Sequence, residues 1–170
     1  MVNGDISNAV KRYQEQFFAS LPPESKKSPG FVEPVAFGFT PQDATEISRL
    51  VLDGVKTATG SLLWSYQTDG KSLPSVGDLW VVIDGDSNPV CVAQTINVEI
   101  IPFNKVPEDY ARWGGEGDCS LESWRRMYWR HVGLECKRIG REPAASAPMI
   151  MERFAVVYAM PPQVSICHKE

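Results

Sequence analysis

The 170-residue chain is poor in the residues that build metal centres and disulfide scaffolds. It has two histidines, His131 and His168, and four cysteines, Cys91, Cys119, Cys136 and Cys167, with no C-x-x-C pair among them. A zinc site needs clustered ligands and a disulfide framework needs denser cysteines, so neither is expected. The thiols read as buried or incidental, and no metal or other cofactor is implied. Long apolar runs are also missing: none approaches the ~20 residues of a membrane helix. Met1–Asp5 has neither a basic start nor an apolar stretch, so no signal peptide is expected and the cytoplasm is the expected location. Excess positive charge is absent too. The net charge is −4 and the pI about 5.3, which argues against a general nucleic-acid coat protein. No internal repeat or low-complexity tract interrupts the chain.

What remains is an ordinary globular composition, 43% hydrophobic and 22% charged, with length for one domain and short extensions. Residues 7–20 carry Val10, Tyr13, Phe17 and Phe18 at helical spacing. Residues 21–30 are rich in breakers and form a linker. Residues 1–30 are therefore expected to be a helical arm and linker, 31–160 the domain, and 161–170 a tail. The arm either packs on the domain or mediates a dimer, leaving monomer and homodimer both open.

Within the domain, residues 35–39 read as a short strand. A helix follows, with Thr40 as N-cap, Pro41 in its first turn, and Gly54 closing it. Its buried stripe is Ala44, Ile47, Leu50 and Val51. Residues 79–83, 90–101 and 149–158 are rich in β-formers and read as strands; the second is long enough to turn a barrel corner. Helices are expected over about 107–113 and from Ser120 to about Val132, with Leu121, Trp124, Met127, Tyr128 and His131 on one side. Strands around short helices, without βαβ alternation, give an α+β barrel rather than a parallel sheet. From Arg125 to Arg141 six basic residues face one acid, Glu135, a local charge of 6 − 1 = +5. Such a stretch is either a solvated helix face or a phosphate-facing surface.

Three segments carry candidate chemistry. Gly54 to Thr59 reads G-V-K-T-A-T, Leu73 to Asp78 reads L-P-S-V-G-D, and Gly115 to Arg125 reads G-E-G-D-C-S-L-E-S-W-R. In this order they resemble the ASCH family, over roughly Phe37 to Tyr158. The acidic motif keeps Glu116 and Asp118 but is one carboxylate short of the family pattern. The resemblance implies a PUA-like β-barrel flanked by short helices, and a cleft that holds RNA or a modified nucleoside. A short branch of the family hydrolyses N4-acetylcytidine nucleosides with a Lys, a Thr three residues later and a distant Glu. Lys56 and Thr59 match by spacing, and Glu116 is the best match for the third after a one-residue insertion. A longer member resembling this chain is linked to ribonuclease activity, and the length here points toward that longer branch.

The residues support such chemistry on their own terms. A threonine hydroxyl needs a base, and a lysine serves as one when burial disfavours its ammonium form. Thr59 would attack an amide carbonyl, Lys56 would take its proton, and Glu116 would orient Lys56 or shuttle a proton to the leaving amine. Against this, Lys56 fits equally well as an exposed cation at a helix C-terminus, with Thr57 and Thr59 merely leading into a strand. Glu116, between glycines that let backbone approach a ligand, is a better functional candidate than Asp118, which suits a helix cap. Thr57 and Ser61 add hydroxyls near the same turn. Trp64, Tyr66 and Trp113 are placed in loops, where their faces either stack a base or pack on the barrel. Arg125 is expected to pair with Glu116 or Asp118, or to clamp a phosphate. Three readings follow: an amidohydrolase on an acylated cytidine, a ribonuclease cleaving single-stranded RNA, and a non-catalytic RNA-binding module.

Overall fold

The computed structural model describes residues 3–22 and 33–159. Most of the expected linker, the 161–170 tail, Cys167 and His168 lie outside the described residues. Helix α1 spans Asn3–Ser20 and buries Val10, Tyr13 and Phe17, the stripe expected from their spacing. It lies against the sheet: the Tyr13 hydroxyl donates to the Val90 carbonyl at 2.9 Å, and Tyr13 and Phe17 both meet the Tyr158 ring.

Strand β1 is only Pro34–Val35, shorter than the expected 35–39. Gly38 breaks it with a left-handed φ of +82°. Helix α2, Pro41–Leu52, begins as its sequence dictates. Thr40 accepts from the Asp43 amide, and Asp43 returns the bond to the Thr40 amide, so two otherwise orphaned donors are satisfied reciprocally. Gly54, at φ +71°, stops the helix.

Strand β2, Ala58–Leu62, runs directly into helix α3, Leu63–Asp69. Strands β3 (Leu79–Ile83) and β4 (Pro89–Pro102) follow, then a 3-10 turn at Phe103–Lys105 and helix α4, Glu108–Gly114. Helix α5 is Leu121–Arg138, capped by Ser120, whose hydroxyl accepts from the Ser123 amide. It continues past Val132, where the sequence pattern placed its end, because Cys136 keeps the buried stripe going and Lys137 and Arg138 complement the dipole of the last turn. Strand β5, Pro148–Ala159, completes the fold.

The sheet order is β1-β3-β4-β5-β2, antiparallel except for the short β1–β3 pair. The class is α+β, as expected, but the closed barrel is not: among the described residues no pairing joins β1 to β2, so the sheet is open. The long β4–β5 ladder has register breaks at Val92/Ala93 and Thr95/Asn97; such bulges bend and twist a strand pair. One core cluster, around Val81, Val82, Val92 and Phe154, sits under α1 and α2. A second, around Leu62, Trp124, Tyr128 and Met149, sits under α4 and α5. A cleft opens between them.

Candidate functional site: an acidic, aromatic cleft

The residues after α2 are held too firmly to serve as a loose turn. The Val55 and Lys56 amides both donate to the Leu50 carbonyl at 2.9 Å. Thr57 is pinned on both sides, its amide on the Trp113 carbonyl at 2.7 Å and its carbonyl accepting from the Phe154 amide at 3.0 Å. This clamp sends the Lys56 side chain inward. Lys56 is 1% exposed, among the largest fully buried side chains of the protein, so it is not the exposed helix-terminal cation that its position also allowed.

Its partner arrives from the loop after α4. Gly115 and Gly117 adopt left-handed φ values of +66° and +61°, on either side of Glu116. A Cβ on Gly115 would stand 2.7 Å from the Val55 carbonyl oxygen, so glycine lets the two loops touch. The result is an ion pair of 2.6 Å between Lys56 Nζ and Glu116 Oε1, with the Gly114 carbonyl 3.5 Å from the same nitrogen. Lys56 Nζ also lies 5.1 Å from the centre of the Phe37 ring.

Both members of this pair line a cavity of about 720 Å³, a size suited to a small ligand. Thr59 and Ser61 of β2 line it from one side, and Tyr66 reaches it from α3. Phe37, Phe39 and Trp80 supply aromatic surface, and Met127, Tyr128 and His131 of α5 line it as well. Burial holds the His131 imidazole below its ordinary pKa, with Glu135 pulling the other way. Burial pushes the Tyr66 hydroxyl up.

The lining also carries Glu152. Glu152 of β5 stands directly opposite Thr59 of β2 in the antiparallel register, which places the two side chains on one face. Glu152 is 8% exposed and accepts from the Thr95 hydroxyl at 3.1 Å. Thr95 in turn accepts from the Trp80 indole N–H at 3.2 Å. Burial raises the Glu152 carboxyl above its ordinary range; Thr95 opposes the rise and the nearby Asp78 charge adds to it.

Of the residues singled out by sequence, Lys56, Thr59, Ser61, Tyr66 and Glu116 line this one cleft. Thr57, Trp64, Asp118 and Arg125 are not among its lining residues. Trp64 and Tyr66 belong to helix α3 and Trp113 to α4, not to loops. The Arg141 guanidinium lies over the Trp64 ring at 5.0 Å, and Arg153 lies over Trp113 at 3.9 Å. Asp118 caps instead: its carboxylate accepts from the Ser120 amide at 2.9 Å. Arg125 reaches the Asn104 carbonyl at 3.4 Å and pairs with neither Glu116 nor Asp118. The basic stretch is partly neutralised. Arg138 is held by Asp69 and Glu135, and Arg130 stacks on Phe39. Sequence reasoning missed Glu152, Thr95 and Trp80. The signal for Glu152 was a lone acid inside an otherwise apolar strand, M-I-M-E-R-F.

Comparison with known proteins bears on the fold. The family model described as ASCH domain matches residues 33–158. The structure is similar to the crystal structure of an ASCH domain from Lactobacillus crispatus JV V101, with TM-score 0.85, 29% identity, and coverage of 93% of this chain and 99% of that one. It is also similar to protein EF3133 from Enterococcus faecalis V583, with TM-score 0.79, 26% identity and 88% of each chain covered. No curated protein matches the chain.

Proposed function

The chain belongs to the ASCH domain family, and on that premise we propose that its cleft binds a modified nucleoside and hydrolyses an amide on the base, of the N4-acetylcytidine type. The observation that carries this reading is the buried Lys56–Glu116 pair in an aromatic cleft that Thr59 also lines. A lysine this buried is rare in a protein interior unless paired, and paired ionisable groups in a cleft are candidate reactive centres.

In this reading the pair works as one unit. Thr59 Oγ1 attacks the amide carbonyl carbon and its proton passes to Lys56, which hands one to Glu116. The C–N bond of the tetrahedral intermediate then breaks, and a proton from the pair goes to the leaving exocyclic nitrogen. Water, deprotonated by the same pair, hydrolyses the Thr59 ester, releasing the carboxylic acid and restoring the hydroxyl.

The cleft's charge favours a nucleoside over an RNA backbone. Its lining contains four carboxylates, Glu33, Asp78, Glu116 and Glu152, against one lysine, Lys56. Phosphate recognition needs the opposite sign. The aromatic walls suit a flat base. For these reasons the ribonuclease reading and the RNA-binding module are the less favoured ones.

The test is hydrolysis of N4-acetylcytidine by the purified protein, beside a short single-stranded RNA, repeated with Lys56→Met. Turnover of the nucleoside that disappears in the variant is the expected result. Cleavage of the RNA alone would move Lys56 to a phosphodiesterase site, and no turnover of either would leave a binding domain.

A further inference from the structure

The proposed hydrolysis leaves Glu152 without a role, yet it is buried and oriented by its neighbours. Trp80 Nε1 can only donate, so the Thr95 oxygen accepts from it and the Thr95 hydroxyl proton is directed to Glu152 Oε2. Oε2 is therefore fixed as an acceptor. Oε1 has no hydrogen-bond partner among the described residues and belongs to a side chain that lines the cavity. No ion pair is formed with Glu152 among the described residues, since the Lys56 amine is taken by Glu116. The facing charge is Asp78, which repels rather than neutralises it.

We propose that Glu152 reads the base: Oε1 hydrogen-bonds the ring nitrogen next to the exocyclic amide of a cytosine-type base, and this contact selects cytosine-type over uracil-type nucleosides. The inference rests on the nucleoside reading above. The register supports it, because Glu152 sits opposite Thr59. In an N4-acylated cytosine only N4 and C4 separate the carbonyl carbon from ring nitrogen N3, so a base attacked by Thr59 brings N3 toward Glu152. The chemistry supports it as well. The contact is made by the neutral acid, the form favoured when a carboxyl is 8% exposed with no cation paired to it among the described residues; the Asp78 charge acts in the same direction. In that form Oε2 accepts from Thr95, so the proton lies on Oε1 and is offered to the cleft. N3 of cytosine is an acceptor and completes the bond. N3 of uracil carries a hydrogen, so two donors would face each other and a buried group would be left unpaired.

The test uses the full chain and compares binding of cytidine and uridine by calorimetry, in the wild type and in Glu152→Gln, Glu152→Ala and Thr95→Val. Glutamine copies a neutral acid that accepts from Thr95 and donates to the base. The wild type and Glu152→Gln are expected to prefer cytidine by about tenfold, the worth of one hydrogen bond. In Glu152→Ala and Thr95→Val the preference should shrink to about threefold or less. Thr95→Val decides the matter if Glu152→Ala does not fold. Retention of the full preference in the folded alanine or valine variant overturns the inference, as does its loss in Glu152→Gln to the level of Glu152→Ala. A wild type that hydrolyses the acylated nucleoside but binds cytidine and uridine equally overturns this inference alone. A folded wild type that binds neither nucleoside and hydrolyses nothing overturns both this inference and the proposed function.

Discussion

Replacing Lys56 by methionine keeps most of the side chain's volume and removes its charge from the Glu116 carboxylate. The pair is 2.6 Å long, with Lys56 1% and Glu116 14% exposed. Removing one member of a fully buried pair costs about 3–5 kcal/mol, because the other charge is left without compensation. Glu116 retains some water contact, and Lys56 also gives up its place over the Phe37 ring, so a cost of about 2–3 kcal/mol is expected here. For a chain of this size that is a fall in Tm of about 5–10 °C. Urea or thermal unfolding measures it. Adding Glu116→Gln to Lys56→Met should restore much of the loss, since the orphaned charge disappears, giving an interaction energy of about 2 kcal/mol in a double-mutant cycle. A loss below about 0.5 kcal/mol in the single variant, or simple additivity in the double, would refute the claim that the two side chains act as one buried unit.

Other consequences are accessible to standard assays. Cytidine affinity should change by less than about threefold between low and high salt, because the acidic cleft binds without phosphate contacts; a steep decline would point to backbone binding. Glu152→Gln should be more stable than the wild type near pH 8, with the gap closing toward pH 4. The Glu152 pKa is raised above its ordinary 4.5, so stability is fully present below that value and falls, by about 1.4 kcal/mol per pH unit, until pH passes the folded pKa; glutamine does not titrate. A gap that is constant with pH would contradict this. Gly115→Ala should lower stability by about 1–3 kcal/mol, since the residue has φ +66° and its Cβ would meet the Val55 carbonyl. Hydrolysis should fall along with stability, because Glu116 is next in the chain; an unchanged Tm would show that the two loops yield easily.

Much of this arrangement was legible in the sequence wherever a local rule dominates. The α2 boundaries follow from Thr40, Pro41, Asp43 and Gly54, and the α1 stripe from Val10, Tyr13 and Phe17. Helix α3 was invisible because it starts from Leu62 with no side-chain cap, straight out of a strand. Lys56 and Glu116 were joined in one site only through the family resemblance; residue type and glycine neighbours do not bring them together. Their contact depends on Thr57 being clamped by Trp113 and Phe154, residues far away in sequence. Glu152 faces the cleft only because β5 pairs with β2 in a register that sets it against Thr59. Arg125 and Trp64 looked available as ligands because sequence shows charge and ring but not the tertiary partners that occupy them.

The Thr59 hydroxyl is the nucleophile on which the proposed reaction depends. The most direct measurement is the rate of N4-acetylcytidine hydrolysis by the wild type, Thr59→Ser and Thr59→Val. Valine keeps the shape of threonine and lacks only the oxygen. A Thr59 nucleophile predicts measurable turnover in the wild type, partial turnover in the serine variant and a fall of at least about 100-fold in the valine variant. Wild-type turnover in a folded Thr59→Val would contradict it.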